Sequence, residues 1–174
     1  TLRKNLVSEV KKIYTDFVQI LEQHNKRARL FSGIDIHLKS GFNDELGLRE
    51  SLIQSESADL KRKTTMLGPH KADIIFESED SLIRDIFSRG EQKILSILWS
   101  LSQNIYLEKF FKISPILLLD DLSSELDVEM LDCFLPIIKY IENRFIFSNI
   151  VDSFNSKIDV SEQSFKKFHV EQLI

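Results

Sequence analysis

The chain has 174 residues, enough for one domain or for one domain with a small appendage. Hydrophobic residues make up 43% and charged residues 29%, which excludes a disordered chain, and no apolar stretch is long enough to cross a bilayer. The single cysteine, Cys133, excludes a disulfide framework and a cysteine-based zinc site, and it favours a reducing, cytoplasmic environment.

The net charge of −4 is distributed unevenly. Residues 1–63 carry 12 basic and 9 acidic side chains, whereas the rest of the chain carries 11 and 18. Bulk charge therefore does not demand a nucleic-acid partner, although a local basic face could bind phosphates. The chain begins at Thr1 within a helical pattern, with no initiator Met and no signal peptide, so we expect a piece of a longer protein.

The first segment is predicted to be an amphipathic helix that ends by Asn25. Its apolar stripe, at steps of three and four, is Leu2, Leu6, Val10, Ile13, Phe17 and Ile20. The basic cluster Lys26, Arg27 and Arg29 follows. It could contact phosphates, but cations that complement a helix C-terminus are the favoured interpretation.

The next segments alternate between strand and helix patterns. Residues 34–39 alternate apolar and polar, which predicts a half-buried strand. Residues 44–63 read as a polar helix, Gly68-Pro69 as a turn, and residues 74–77 as a short strand. Residues 80–87 are expected to be a connection.

The second half has an α/β pattern. Ser88 and Glu91 cap a long, largely buried helix. The apolar run 116–119 predicts a strand covered on both faces, and 145–147 a second buried strand. Between them, residues 124–142 are predicted to be helical, and short strands are expected at 158–160 and 168–170. We therefore predict parallel central strands.

Two carboxylates follow the apolar strand, in the Walker B arrangement. Asp120 at the strand tip could hold Mg²⁺, which prefers oxygen ligands, and Asp121 could orient an attacking water. The alternative is an acidic loop after a buried strand, and these two residues alone do not decide between them.

Two further segments could serve a nucleotide. Ser88 and Gly90 open a long helix, where a hydroxyl and free N–H groups suit a terminal phosphate, although S-x-x-E is also a plain capping box. Ser123–Asp127 follows the paired Asp at once, and it could equally be a helix N-cap with an acidic first turn.

Together these motifs resemble a known family. The order S-R-G-E-Q (88–92), I-L-L-L-D-D (116–121) and S-S-E-L-D (123–127) is similar to the ABC-type ATPase heads of the SMC and RecF group. The element G-P-H-K-A-D (68–73) narrows the resemblance to the RecF family of bacterial recombinational repair proteins. The specific motifs cover residues 64–150.

The resemblance implies a fold and a division into two parts. Residues 64–174 would be the C-terminal lobe of the ATPase head, an α/β lobe with parallel central strands. Residues 1–63 match only loosely, as the returning part of a helical insert domain.

The resemblance also implies roles for individual residues. Asp120 would bind Mg²⁺, and Asp121 would be the catalytic residue, in place of the Glu of most ABC ATPases, with slow hydrolysis as a consequence. The signature would contact the γ-phosphate of ATP on the other subunit, and the D-loop and switch residues would complete the site. The residues concerned are Ser88, Arg89, Gly90, Glu91 and Gln92 in the signature, Ser124 and Asp127 in the D-loop, and Ser148 at the switch position.

Two departures from the family pattern stand out. Ser148 replaces the His of many ABC ATPases, and the four histidines, His24, His37, His70 and His169, lie elsewhere in the sequence. No G-x-x-x-x-G-K-[ST] P-loop occurs, so we expect this chain alone neither to bind nor to hydrolyse ATP.

The resemblance implies that the intact protein dimerises on DNA when it binds ATP. It would act in DNA repair, recombination, replication and the SOS response, with RecR, RecO and RecA as partners. Three alternatives remain open. They are the head of another SMC or ABC ATPase, an interaction module that docks through the N-terminal helix, and a metal-dependent nuclease at Asp120 and Asp121.

Overall fold

A computed structural model describes residues 2–120, 132 and 144–147 of the chain. The predicted helix 124–142, apart from residue 132, and the predicted strands 158–160 and 168–170 lie outside the described residues. In chain order the elements are α1 (Leu2–His24), a basic 3-10 turn (Lys26–Phe31), β1 (Asp35–Lys39), α2 (Gly47–Arg62), a second 3-10 turn (Pro69–Lys71), β2 (Asp73–Ser78), β3 (Ser81–Leu82), α3 (Ile83–Ile86), α4 (Arg89–Phe111), β4 (Ile116–Leu119) and β5 (Arg144–Phe147).

The first three strands form an antiparallel sheet in the order β1-β2-β3. Asp35 pairs with Glu77 and Lys39 with Asp73, so β1 and β2 lie side by side along the whole of β1. The expectation of a plain connection over residues 80–87 is wrong, because this segment contains β3 and α3. The tight turn into β3 uses positive φ at Glu79 and Asp80, without the Asn-Gly or Asp-Gly signal that would have revealed it.

The last two described strands, β4 and β5, pair in parallel, with Leu117 opposite Phe145. Leu117 and Leu119 are buried, but Ile116 is 55% and Leu118 is 70% exposed. The prediction that β4 is covered on both faces is therefore wrong. A continuous apolar run shows that both faces of a strand are apolar, but it does not show that both are covered.

Helices α1 and α4 pack together and supply most of the core. The apolar stripe predicted for α1 needs correction, because Leu2 is 86% exposed and Leu6 is also exposed. The buried face of α1 consists of Val7, Val10, Tyr14, Phe17, Val18 and Leu21. The matching side chains of α4 are Ile94, Leu95, Ile97, Leu98, Trp99 and Leu101. The apolar face of α1 is thus core and not a free docking surface.

Helix α2 lies at the surface, as its polar composition predicts, and Ser51 is the buried residue within it. Its apolar side chains Ile53 and Leu60 are exposed. Within the part of the chain that the structure describes, no helix is long and apolar enough to span a membrane.

Candidate nucleotide site

The N-terminus of α4 has the geometry of a complete capping box. Ser88 Oγ accepts a hydrogen bond from the Glu91 N–H at 3.3 Å, and Glu91 Oε2 accepts one from the Ser88 N–H at 2.7 Å. Two of the helix's open N–H groups are thereby satisfied, while the first-turn N–H groups of Arg89 and Gly90 still point along the helix axis. The Ser88 hydroxyl hydrogen is not used by the cap, so it can donate to an anion.

Gln92 holds this helix start against the segment before it. Its side-chain amide donates to the carbonyl oxygens of Phe87 at 2.8 Å and Arg84 at 3.1 Å. The amide therefore makes a structural contact that fixes the end of α3 beside the cap. This contact could not be predicted from the sequence, because a Gln beside a capping box is compatible with ligand binding and with internal bonding alike.

An aromatic pair anchors the cap to the core. Phe87 precedes Ser88 directly, and its ring packs edge-to-face on Phe31, with centroids 5.8 Å apart. Phe31 is fully buried, and its carbonyl accepts a 2.8 Å hydrogen bond from the Tyr14 hydroxyl. Burial raises the pKa of Tyr14, so its hydroxyl keeps its proton and remains a donor.

The Gly68–Asp73 element is fixed by a close approach of two loops. The Gly68 N–H donates to the Gly41 carbonyl at 2.8 Å, and Arg3 Nη1 donates to the Pro69 carbonyl at 2.9 Å. A Cβ on Gly41 would overlap the Gly68 carbonyl and lie 2.7 Å from the Ala72 nitrogen. His70 Nε2 lies 3.2 Å from the Thr65 carbonyl oxygen, so His70 belongs to this loop packing.

The structure places Asp120 directly after β4, where its side chain is exposed. Asp121, Ser124, Asp127 and Ser148 lie outside the described residues, so their predicted roles stay predictions.

Helix α1 ends at His24, in agreement with the predicted end by Asn25, and the basic cluster follows it. Lys26, Arg27 and Arg29 occupy the 3-10 turn that follows, where all three are exposed. Asn25 caps this turn by accepting the Arg27 N–H at 2.9 Å. The sequence pattern missed the turn because short 3-10 segments have no periodicity of their own.

Comparison with known proteins identifies the relatives of this chain. The DNA replication and repair protein RecF of Coxiella burnetii (strain Dugway 5J108-111) is 33% identical over 149 residues, which are 86% of this chain and 40% of the relative. The chain is a homologue of RecF. The resemblance to the C-terminal part of RecF, predicted from the motifs, is thus confirmed.

Other RecF proteins extend the match along the chain. RecF of Pseudoalteromonas translucida (strain TAC 125) is 26% identical over 188 aligned positions, which cover 97% of this chain and 52% of that protein. This chain therefore spans about two fifths to one half of the length of the curated RecF relatives it matches. No family model matches the sequence.

A solved structure agrees on the fold. A structure described as the recombination mediator protein RecF with ATP, in the RecFOR pathway, superposes with a TM-score of 0.56 at 24% identity. The superposition covers 86% of this chain and 41% of that RecF chain. The chain thus has the fold of part of the RecF chain, as the resemblance predicts.

Proposed function

We propose that this chain forms the C-terminal ATPase lobe of a RecF-like protein that binds ATP and DNA in replication and repair. The observation that carries the proposal is the capped start of α4, where S-R-G-E-Q stands in a chain homologous to RecF. One solved relative is described as RecF with ATP, which supports ATP as the nucleotide.

The start of α4 is proposed to receive the γ-phosphate of ATP held by a second subunit. The Ser88 hydroxyl, the N–H groups of Arg89 and Gly90 and the positive end of the helix dipole would bind it together. The Glu91 carboxylate already accepts from the Ser88 N–H, so it stabilises the loop and need not face the phosphate. The hydrogen bond from the Gln92 amide to the Phe87 carbonyl stabilises the position of this helix start.

The two carboxylates that follow β4 would serve the metal and the water. Asp120 is an exposed carboxylate at the end of a parallel strand, a hard oxygen donor that fits Mg²⁺. When bound, Mg²⁺ neutralises charge on the phosphates. Asp121 would orient the attacking water, Ser124 and Asp127 would form the D-loop at the dimer interface, and Ser148 would occupy the switch position.

A P-loop must come from outside this sequence. The RecF relatives are about twice as long as their match to this chain or longer, and we propose that their remaining part carries the P-loop. ATP-dependent homodimerisation on DNA, contact with RecR, and cooperation with RecO in loading RecA belong to the same proposal for the intact protein. Its hydrolysis would be slow, because the Asp121 side chain is shorter than Glu.

The signature role is tested by Ser88→Arg in the chain joined to the P-loop-bearing part of a RecF protein. We expect ATP binding to persist and ATP-dependent dimerisation to be lost, since the larger cation would block the helix start. Fluorescent ATP binding and sedimentation velocity would measure the two properties. Ser100→Arg, an exposed position further along α4, is the matched control. A Ser88→Arg protein that still dimerises would refute the signature role.

The proposed catalytic role of Asp121 is tested by Asp121→Asn in the same joined protein. ATP binding and dimerisation should persist while phosphate release falls to background, because the neutral amide cannot accept a proton from water. Retained turnover would remove Asp121 from the catalytic role. Failure of the joined protein to bind any nucleotide would refute the proposed function as a whole.

A further inference from the structure

One imidazole and two carboxylates converge on the open face of the antiparallel sheet. His37 Nδ1 lies 3.1 Å from Asp35 Oδ2 and 4.0 Å from Glu77 Oε2. The three ligand atoms all lie within 4.8 Å of one another. None of these residues belongs to the proposed nucleotide site.

The strand register brings these three groups together. Asp35 and His37 are two residues apart on β1, so their side chains point to the same face, while Ile36 between them is buried on the other. Glu77 on β2 is the cross-strand partner of Asp35. Directly opposed residues in antiparallel strands have adjacent side chains, so the backbone itself holds the group in place.

We propose that Asp35, His37 and Glu77 form a binding site for a divalent transition-metal ion such as Zn²⁺. A tetrahedral Zn²⁺ holds its ligand atoms about 3.3 Å apart, given bond lengths of about 2.0–2.1 Å. The pair Asp35–His37 already has this spacing, and the Glu77 carboxylate reaches it by a small rotation of a partly exposed side chain. A water molecule would complete the coordination.

The local charges suit a cation with mixed nitrogen and oxygen ligands. Two carboxylates balance the charge of a divalent ion, and an imidazole selects transition metals over Mg²⁺ or Ca²⁺. Lys11 Nζ contacts Asp35 Oδ1 at 2.6 Å and orients the carboxylate, while Asp35 Oδ2 contacts His37 Nδ1, a contact that a metal ion shared by the two groups would replace. Lys11 is thus a partner of the ligand rather than a competitor for the same oxygen.

The position of the site gives binding a structural consequence. Glu77 also pairs with Leu82 on β3, and α3 begins at the next residue. A metal bound here would join β1 to the C-terminal end of β2. The chain continues from that end through β3 to α3 and α4. We therefore expect bound Zn²⁺ to slow hydrogen exchange at the β1–β2 pairing. The inference does not depend on the proposed nucleotide function.

The test is a titration of the purified chain with Zn²⁺ alone, in competition with a chromophoric chelator. We expect the parent chain to bind one Zn²⁺ at this site. The affinity for Zn²⁺ should fall about tenfold or more in His37→Ala and in Glu77→Gln. His24→Ala, an exposed histidine at the end of α1, is the matched control and should bind as the parent chain does. Substitution by Co²⁺ should give a d–d absorption band that is lost in His37→Ala.

All three ligands are exposed or partly exposed, so their substitution leaves the core intact. A loss of Zn²⁺ binding can therefore be distinguished from a loss of folding. Circular dichroism would verify that each variant is folded. The proposal is overturned if the parent chain binds no Zn²⁺, or if His37→Ala and the parent bind it equally. A loss of binding in His24→Ala as large as in His37→Ala would also overturn it.

Discussion

Gly41 is the residue whose replacement should disturb the fold most directly. Its φ is +79°, and a Cβ would overlap the Gly68 carbonyl and press on the backbone of Lys71 and Ala72. Backbone atoms cannot rotate away, so the two loops would have to separate. We expect Gly41→Ala to lower the free energy of unfolding by about 2–5 kcal/mol, measured by urea denaturation.

Gly33→Ala is the matched control for this substitution. Gly33 has nearly the same φ, +73°, but nothing lies within 4 Å of the added methyl group. Only the cost of a left-handed alanine remains, about 1–2 kcal/mol. Equal losses in the two variants would show that the close approach of the loops contributes nothing.

The importance of Gly41 could not be read from the sequence. A glycine after a predicted strand indicates a turn, and the sequence places Gly68-Pro69 in a turn as well. That the two turns touch depends on the β1–β2 pairing, which brings distant parts of the chain together. By contrast, the capping box at Ser88 and Glu91 is local, and there the pattern predicts the geometry correctly.

At the scale of elements, Asp44 links α1, the end of β1 and the turn into α2. Lys4 Nζ contacts Asp44 Oδ2 at 2.8 Å, and the Ser40 hydroxyl donates to Asp44 Oδ1 at 2.7 Å. The hydrogen bond from Lys4, followed by that from Ser40, holds the pKa of Asp44 below its usual value of 3.8. The folded state therefore favours the charged carboxylate.

This shift predicts a pH dependence of stability. Because the folded pKa is lowered, the stabilisation is fully present above the unfolded pKa of about 4 and is lost as the pH falls through the folded value. Lys4→Met should reduce the difference in unfolding free energy between pH 7 and pH 3, measured by urea denaturation at both values. The effect should be small and salt-sensitive, because the pair is exposed.

Lys26→Met is the control for this pH effect. It removes an exposed cation from the basic 3-10 turn, and no contact of Lys26 with Asp44 is found in the described residues. Its unfolding free energy should keep the pH dependence of the parent chain. If Lys4→Met and Lys26→Met behave alike, the pH dependence reflects general charge and not the Asp44 contact.

Most helices and strands could be predicted from the sequence, but the burial of their faces could not. Helix α1, strands β1 and β2 and helix α4 follow from local periodicity and end signals. The buried face of α1 and the exposed face of β4 depend on which neighbours are present, and apolar spacing does not encode that. The metal-ligand group at His37 depends on strand register, so only the fold reveals it.

For the whole molecule, the sequence pattern predicts a division at residue 63, and that division stays a prediction. Strands β1 and β2 lie on opposite sides of this boundary and pair with each other. The core likewise joins α1 to α4 across it. These contacts favour one cooperative unit over residues 2–120, because neither side could separate without exposing the shared apolar surface.

Leu21→Ala tests this cooperativity. Leu21 is fully buried on α1, and its truncation should cost about 2–5 kcal/mol through the lost burial and the cavity. In one cooperative unit, the slowest-exchanging amides of α1 and of α4 open by the same global unfolding. Hydrogen exchange should therefore accelerate by a similar factor in both helices.

Leu2→Ala is the matched control on the same helix, because Leu2 is almost fully exposed and its truncation should leave exchange unchanged. Faster exchange in α1 with unchanged exchange in α4 would support the predicted boundary at residue 63. If Leu21→Ala accelerated exchange in α1 and left α4 as it was, residues 1–63 would unfold on their own. The N-terminal part would then be a separate unit, because in a shared core the loss of a fully buried leucine would accelerate exchange in both helices.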